Sequence, residues 1–367
     1  MPLSPTERLK LACMVSGLPY RRRFFQTGGF SNWGRELRAW FPFIVREFGE
    51  IYTARGMQIF RNLVSNHRFA GNPEVVPVFY PDPDYPSGLR HIFDAPGVVW
   101  LRTMPGSAQR TSSVSKPGTT TGFADNDDDS GEGAGVSATS NESINPFQSN
   151  KRFVSIVGTR NPDPVSCEAT VQFVNALPES TVIVSGLARG IDSVAHEAAL
   201  KRGMDTLAVL GAGIMKPGPA ENRNLWSGKY PGKLYLLSEF LPYTEARSYH
   251  FPRRNRIIAG LSDTTVLMQA PYGSGALISA SFCLDEGRDL MVFDHPLLSA
   301  AGKNEGGREL LDQGALPLSE LIPPERIHRI PDGEVDVGEE IAFREGLRSG
   351  RLRPLGQGLL FERPPDD

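Results

Sequence analysis

The chain has 367 residues, 40% hydrophobic, 22% charged and 9% aromatic, which suits a globular protein with a sizeable core and two or three domains. Its 39 Lys and Arg against 42 Asp and Glu give a net charge of −3, so any polyanion contact must rest on a local basic cluster, not a diffuse one. Gly and Pro without a repeat exclude collagen-like and wholly disordered chains. No run approaches the roughly 20 apolar residues of a membrane span. The stretch Leu9 to Leu18, followed by Arg21, Arg22 and Arg23, lacks the order of a signal peptide. Cys13, Cys167 and Cys283 are scattered with no CxxC pair, which speaks against a disulfide framework or zinc site and for a reducing cytoplasm.

Residues 1–70 carry aromatics and arginines in helix-compatible runs, Glu36 to Phe48 and Ile51 to Val64, and read as a small helical domain. Residues 75–104 read as strand, Pro-rich turn, short helix and strand, a lead-in to a larger domain. At 105–150 the composition shifts to Ser, Thr, Gly, Asn and Asp, with an acidic patch at Asp125, Asp127, Asp128, Asp129 and Glu132. Such a segment cannot bury enough apolar surface to offset its ordering entropy, and a flexible insertion is expected. An acidic strip that screens a basic site is the sharper alternative.

Residues 151–316 alternate short β-branched runs with helical ones. The strands are Phe153–Val157, Thr181–Ser185, Thr206–Gly211, Leu234–Glu239, Thr264–Gln269 and Leu290–Asp294; the helices between them are Val165–Leu177, Ile191–Arg202, Arg254–Leu261 and Ser274–Asp285. Strands without polar alternation are buried on both faces, and βα units of this length predict an α/β fold with a doubly wound, mostly parallel, Rossmann-like sheet. From 317 to 367 the chain is rich in Pro, Glu and Arg, and is expected to begin as an ordered strap and end as a tail.

Ligands of an open α/β sheet bind outside the carboxyl ends of its strands. There the chain places Gly158-Thr159-Arg160, then Ser185-Gly186-Leu187-Ala188-Arg189-Gly190, then Gly211-Ala212-Gly213, then Phe251-Pro252-Arg253-Arg254-Asn255-Arg256, then Tyr272-Gly273-Ser274-Gly275. Glycines let backbone N–H groups approach an anion, helix N-termini add positive potential, and arginine supplies bidentate donors suited to phosphate. Each piece alone has a plainer reading: a tight turn, or an arginine paired on the surface, as Arg189 with Asp192 or Arg256 with Asp263. Their coincidence on one rim points to a polyanion site. Phe251, Tyr249 and Tyr243 flank the arginines as candidate base-stacking partners, although core packing reads Phe251 equally well. His196 invites a general-base role but fits helix packing better, and His250 either touches a phosphate or is merely exposed. GxxxxGK[ST], GxGxxG and GxSxG are all missing, which excludes a P-loop, weakens a dinucleotide site and removes the hydrolase elbow. No cofactor or metal is expected.

These motifs carry a resemblance. IVGTR (Ile156–Arg160), SGLARGIDSVAHEAAL (Ser185–Leu200), FPRRNRIIAGLS (Phe251–Ser262) and GSGALISA (Gly273–Ala280) resemble the DNA processing protein A family, DprA or Smf. The resemblance implies a non-catalytic protein of natural transformation that binds and protects single-stranded DNA, loads the RecA recombinase onto it and forms a homodimer. By position it implies phosphate contacts from Arg160, Arg189, Arg254 and Arg256. Ser185, Gly186, Gly190 and Asn255 would shape the pocket, with Ser274 and Gly275 as the opposite wall; Arg253 fills a variable position of its motif. The chain departs from the family pattern in the 105–150 insertion, in Gly218, in Gln269 where an acid is usual, and in a C-terminus too short and proline-broken for a full winged helix. The alternative for this topology is a nucleoside-monophosphate phosphoribohydrolase of the "lonely guy" type. Its PGGxGTxxE loop corresponds here to PYGSGALISA, without the Glu.

Overall fold

The computed structural model describes residues 3–18, 36–66, 69, 74–104, 145–148, 151–318, 327–329, 337–349, 351–356 and 359–362. Of the expected insertion, 105–144 and 149–150 lie outside the described residues. Its described end is anchored: Asn145 donates to the Asp84 carbonyl at 3.2 Å, and Phe147 stacks on Phe153 with centroids 5.5 Å apart.

Helix α1 (Pro5–Gly17) opens with Pro at its first position and a reciprocal cap, Glu7 N–H donating to Ser4 Oγ and Ser4 N–H to the Glu7 carboxylate. Helix α2 (Leu37–Val64) kinks at Gly49, whose φ of 78° and ψ of 174° are open only to glycine. The kink divides it into the two helical runs expected on either side. These helices do not keep a core of their own. Trp40 meets Phe79 edge-on, the Trp100 indole N–H donates to Ser16 Oγ at 3.0 Å, and one continuous apolar cluster runs from Leu11 and Ile44 to Leu187 and Leu236.

Strands β1 (Val75–Phe79) and β2 (Val98–Met104), with the short helix α3 (Ser87–Arg90) between them, form the lead-in. Then come β3 (Phe153–Val157), α4 (Pro164–Ala176), β4 (Val182–Ser185), α5 (Ile191–Lys201), β5 (Thr206–Val209), β6 (Leu234–Ser238), α6 (His250–Leu261), β7 (Thr264–Leu267), α7 (Ala276–Asp285), β8 (Asp289–Val292), α8 (Pro296–Ala300), α9 (Glu305–Asp312) and β9 (Leu316–Pro317). The nine strands form one sheet in the order β1-β2-β6-β5-β4-β3-β7-β8-β9. All neighbours from β6 to β9 are parallel, whereas β2 runs antiparallel to both β1 and β6. The fold is α/β with a doubly wound, mostly parallel sheet.

The strands are buried on both faces because helices cover both. Val154 and Ile156 of β3 pack with α4 and α5, while Val157 packs with α6 and α7 on the other side. The chain winds outward from β3 through β4, β5 and β6, then returns to the far side of β3 with β7. The topological switch therefore lies between β3 and β7.

The expected tail is in part ordered structure. Helix α10 (Val337–Ser349) and the strands β10 (Ile327–Arg329), β11 (Leu352–Gly356) and β12 (Leu359–Glu362) form a small unit with sheet order β10-β12-β11. Leu352 is buried against Gly346, where a Cβ would come within 2.6 Å of it, and β11 lies against α4. Pro354 hides this in the sequence: it breaks the alternation, but β11 is an edge strand and tolerates it.

Candidate functional site

The carboxyl ends of β3, β4, β5 and β7 open onto two adjoining clefts of about 530 and 370 Å³. The larger lies between the loop after β3 (Gly158–Arg160), the first turn of α6, and the turn Gly273–Ala276 that leads into α7. The smaller lies between the loop after β4 (Gly186–Arg189), Leu210–Ala212 after β5, and the segment that carries Lys216 and Pro219. Arg160, Ala188, Phe251 and Arg254 line both, so the two make one groove. It sits where Rossmann-like sheets bind ligands, for the reason that helix N-termini collect at a switch point.

Arg254 is the floor. Its side chain is buried and donates to the carbonyls of Gly186 and Val209 and to Asn255 Oδ1, the last at 3.0 Å. Burial pushes its pKa down to about 10; the Asp192 carboxylate opposes that shift and nearby Arg160 adds to it. Arg254 therefore stays charged. Asp192, in the first turn of α5, is buried beside it and accepts from the Ala188 N–H at 3.2 Å. Burial raises its pKa, against Arg254 and backbone N–H donors that lower it. Gly186 makes this packing possible: a Cβ there would collide with the Arg254 guanidinium and would lie 2.5 Å from the Asp192 carboxylate. Gly190 serves the next wall. Its φ is 83°, and a Cβ would sit 2.7 Å from the Arg160 backbone.

Arg160 is exposed, with its guanidinium 5.6 Å from the centre of the Phe251 ring, and makes no ion pair among the described residues. Phe251 thus stands between the clefts and packs against Gly211. Arg189 is exposed and only loosely held by Glu221, 3.8 Å away with both side chains 61% exposed. Lys216 adds a fourth cation and pairs with Glu245 at 2.8 Å. Asn255 ties α6 to the opposite wall by donating to the Gly275 carbonyl at 3.1 Å, and Ser274 and Gly275 line that wall. Four basic and two acidic side chains line the groove.

Of the expected site residues, Arg160, Gly186, Arg189, Arg254, Asn255, Ser274 and Gly275 come together in this groove. Ser185 does not reach it. Its hydroxyl is fully buried and donates to the Ile156 carbonyl at 2.6 Å, a brace between β4 and β3. Arg253 and Arg256 are the substantive correction. Spaced i, i+3 on one face of α6, they point away from the groove into a buried carboxylate cluster. Arg256 grips both oxygens of Glu239 at 3.0 and 2.9 Å and donates to Asp94 at 3.0 Å, while Arg253 reaches Glu239 at 2.8 Å. Burial works against the charge of Arg256, but Glu239 and Asp94 outweigh it and hold its pKa above the ordinary value. Both are thus paired with carboxylates, Arg256 buried and Arg253 with its side chain 20% exposed.

Several other side chains settle into the core. His196 is fully buried, with Nδ1 2.7 Å from Thr206 Oγ1, and burial pushes its pKa down to about 3. His250 is neither exposed nor in the groove: its Nδ1 is 3.0 Å from the Gly211 carbonyl and its ring stacks on Phe240 at 4.1 Å. Tyr243 packs edge-on against Phe69. Among the described residues no cluster has the makings of a metal site.

Sequence reasoning passed over Asp192 as a floor residue, Lys216, and Asn222. The Asn222 amide donates to the carbonyls of Leu187 and Ala188, both at 3.0 Å, and so holds a turn in which Leu187 takes a φ of 65°. An asparagine 34 residues beyond its partner gives no local signal, and only the fold brings the two together.

A family model described as DNA recombination-mediator protein A matches residues 145–322. DNA processing protein DprA of Streptococcus pneumoniae is 38% identical over 163 residues, which cover 44% of this chain and 56% of that protein. Protein Smf of Escherichia coli is 38% identical over 158 residues, 41% of each chain. The chain thus spans about half the length of the curated relatives it matches. The X-ray structure of DprA from Streptococcus pneumoniae superposes with a TM-score of 0.59 at 25% identity, covering 87% of this chain and 96% of that one. These likenesses agree with the Gly-Arg rim motifs, and residues 145–322 are similar to the DNA processing protein A (DprA/Smf) family.

Proposed function

We propose that the groove binds single-stranded DNA by its sugar–phosphate backbone, without reading sequence. One observation carries this: Arg160, free of carboxylates among the described residues, stands on Phe251 at the junction of two clefts whose floor is a charged Arg254 and whose far wall holds Arg189 and Lys216. Phosphates along a strand would meet these cations and the N-termini of α5, α6 and α7, and counterion release would drive association. The family model's description, recombination mediator, and the relatives' name, DNA processing protein, support a place in DNA processing, and its setting in natural transformation rests on the family resemblance. RecA loading and homodimer formation are part of the same proposal and rest on the family resemblance.

The test is a titration of labelled single-stranded oligonucleotides of several sequences against the wild type and Arg160→Ala. Similar affinities across sequences and a uniform loss in the variant are expected; unchanged binding in a folded Arg160→Ala protein would overturn the site. The phosphoribohydrolase reading predicts instead that AMP incubated with the protein yields free adenine.

A further inference from the structure

Tyr272 is an aromatic side chain with no use in the fold. It is 67% exposed, and among the described residues its side chain has no ring contact, ion pair or hydrogen bond. Its position is fixed by its backbone. The Ser274 N–H donates to the Pro271 carbonyl at 3.1 Å, and Gly273 takes a φ of 76°. Tyr272 and Gly273 are therefore the two central residues of a tight turn in which the positive φ falls on the glycine, as a type II turn requires. The next residues, Gly273, Ser274 and Gly275, form the wall of the larger cleft opposite Phe251. The turn thus fixes Tyr272 immediately before that wall in the chain, with its side chain in water.

The other aromatics near the groove are engaged. Phe251 carries Arg160 on one face and packs against Gly211, Tyr243 packs on Phe69, and the Tyr249 hydroxyl takes a hydrogen bond from Arg247 at 3.2 Å while its ring meets His250 edge-on. A strand held by its phosphates in the groove turns its bases outward to the lips. An exposed ring there can stack on a base only if the base is unpaired, and stacking tolerates any base because each has a π-face.

We propose that Tyr272 stacks on an unpaired base of the strand whose phosphates occupy the groove, and that this contact makes the site prefer single strands to duplex. The inference rests on the groove being a DNA backbone site. The experiment separates the two. Fluorescence anisotropy is read for wild type, Tyr272→Ala, Tyr272→Phe and Arg160→Ala against an oligo-dT, an abasic oligomer of the same length and a duplex. Tyr272→Ala is expected to weaken oligo-dT binding by roughly 5- to 150-fold, the range that base–aromatic stacking supplies. It should leave abasic and duplex binding unchanged, and Tyr272→Phe should retain wild-type affinity. Arg160→Ala should weaken all three ligands. Equal losses on dT and abasic ligands, or no loss from Tyr272→Ala while Arg160→Ala still weakens binding, would overturn the stacking role alone. No binding of any ligand by the wild type at low salt would overturn the groove reading and this inference with it.

Discussion

Arg256 spends its guanidinium on Glu239, on Asp94 and on the Arg253 carbonyl at 3.2 Å, all in the interior. Replacing it by alanine takes this partner from Asp94 and leaves Glu239 with Arg253, and breaking such a buried pair costs about 3–5 kcal/mol. Arg256→Ala is therefore expected to shift the urea midpoint strongly, and any loss of DNA binding should follow the loss of fold. Arg160→Ala removes an exposed side chain, and its stability should stay within about 0.5 kcal/mol of wild type. Comparing both variants by urea denaturation checks the assignment. His196 gives a second expectation. Its folded pKa is pushed down to about 3, while an unfolded histidine titrates near 6.5. Between those values the unfolded chain binds the extra proton, so this contribution to stability is intact above pH 6.5 and is lost as pH falls through the window. Relative to His196→Gln, the wild type should lose about 1.4 kcal/mol per pH unit between pH 6 and 4, seen in denaturation curves at each pH.

At the scale of elements, the glycine in α2 is the clearest device. Gly49 bends the helix so that its two halves share a core with β1 and β2, in a conformation that costs another residue about 1–3 kcal/mol. Gly49→Ala should lower the melting temperature while leaving DNA affinity unchanged, since Gly49 is not among the residues that line the groove. Strand β3 is fully legible, Phe153–Val157 in sequence and structure alike, because five apolar or small residues bounded by Gly158 admit little else. The start of α6 is not. Pro252 suggests a helix beginning at Arg254, yet it sits in the first turn, where no N–H is needed, and the helix begins at His250. That four-residue shift is part of why α6 divides its arginines: Arg254 and Asn255 turn to the groove, Arg253 and Arg256 to Glu239.

At the scale of the molecule, a net charge of −3 coexists with four groove-lining cations. Binding should therefore be local and steeply salt-dependent. The slope of log affinity against log salt is expected to be about −0.7 per phosphate neutralised on a single strand, about −2 to −3 in all, and Arg160→Ala should make it shallower by about 0.7. Anisotropy titrations from low to physiological salt measure this.

Periodicity and glycine placement in the sequence determined the alternation of strands and helices, and with it which loops meet at one rim, because a parallel sheet leaves its βα loops no other side to occupy. They could not determine which arginine faces a ligand. That depends on Glu239 and Asp94, 17 and 162 positions from Arg256, arriving beneath α6 through the pairing of β2 with β6. A guanidinium buried against carboxylates and one left in water are the same residue in a string, and only the folded neighbourhood separates a brace from a binding group.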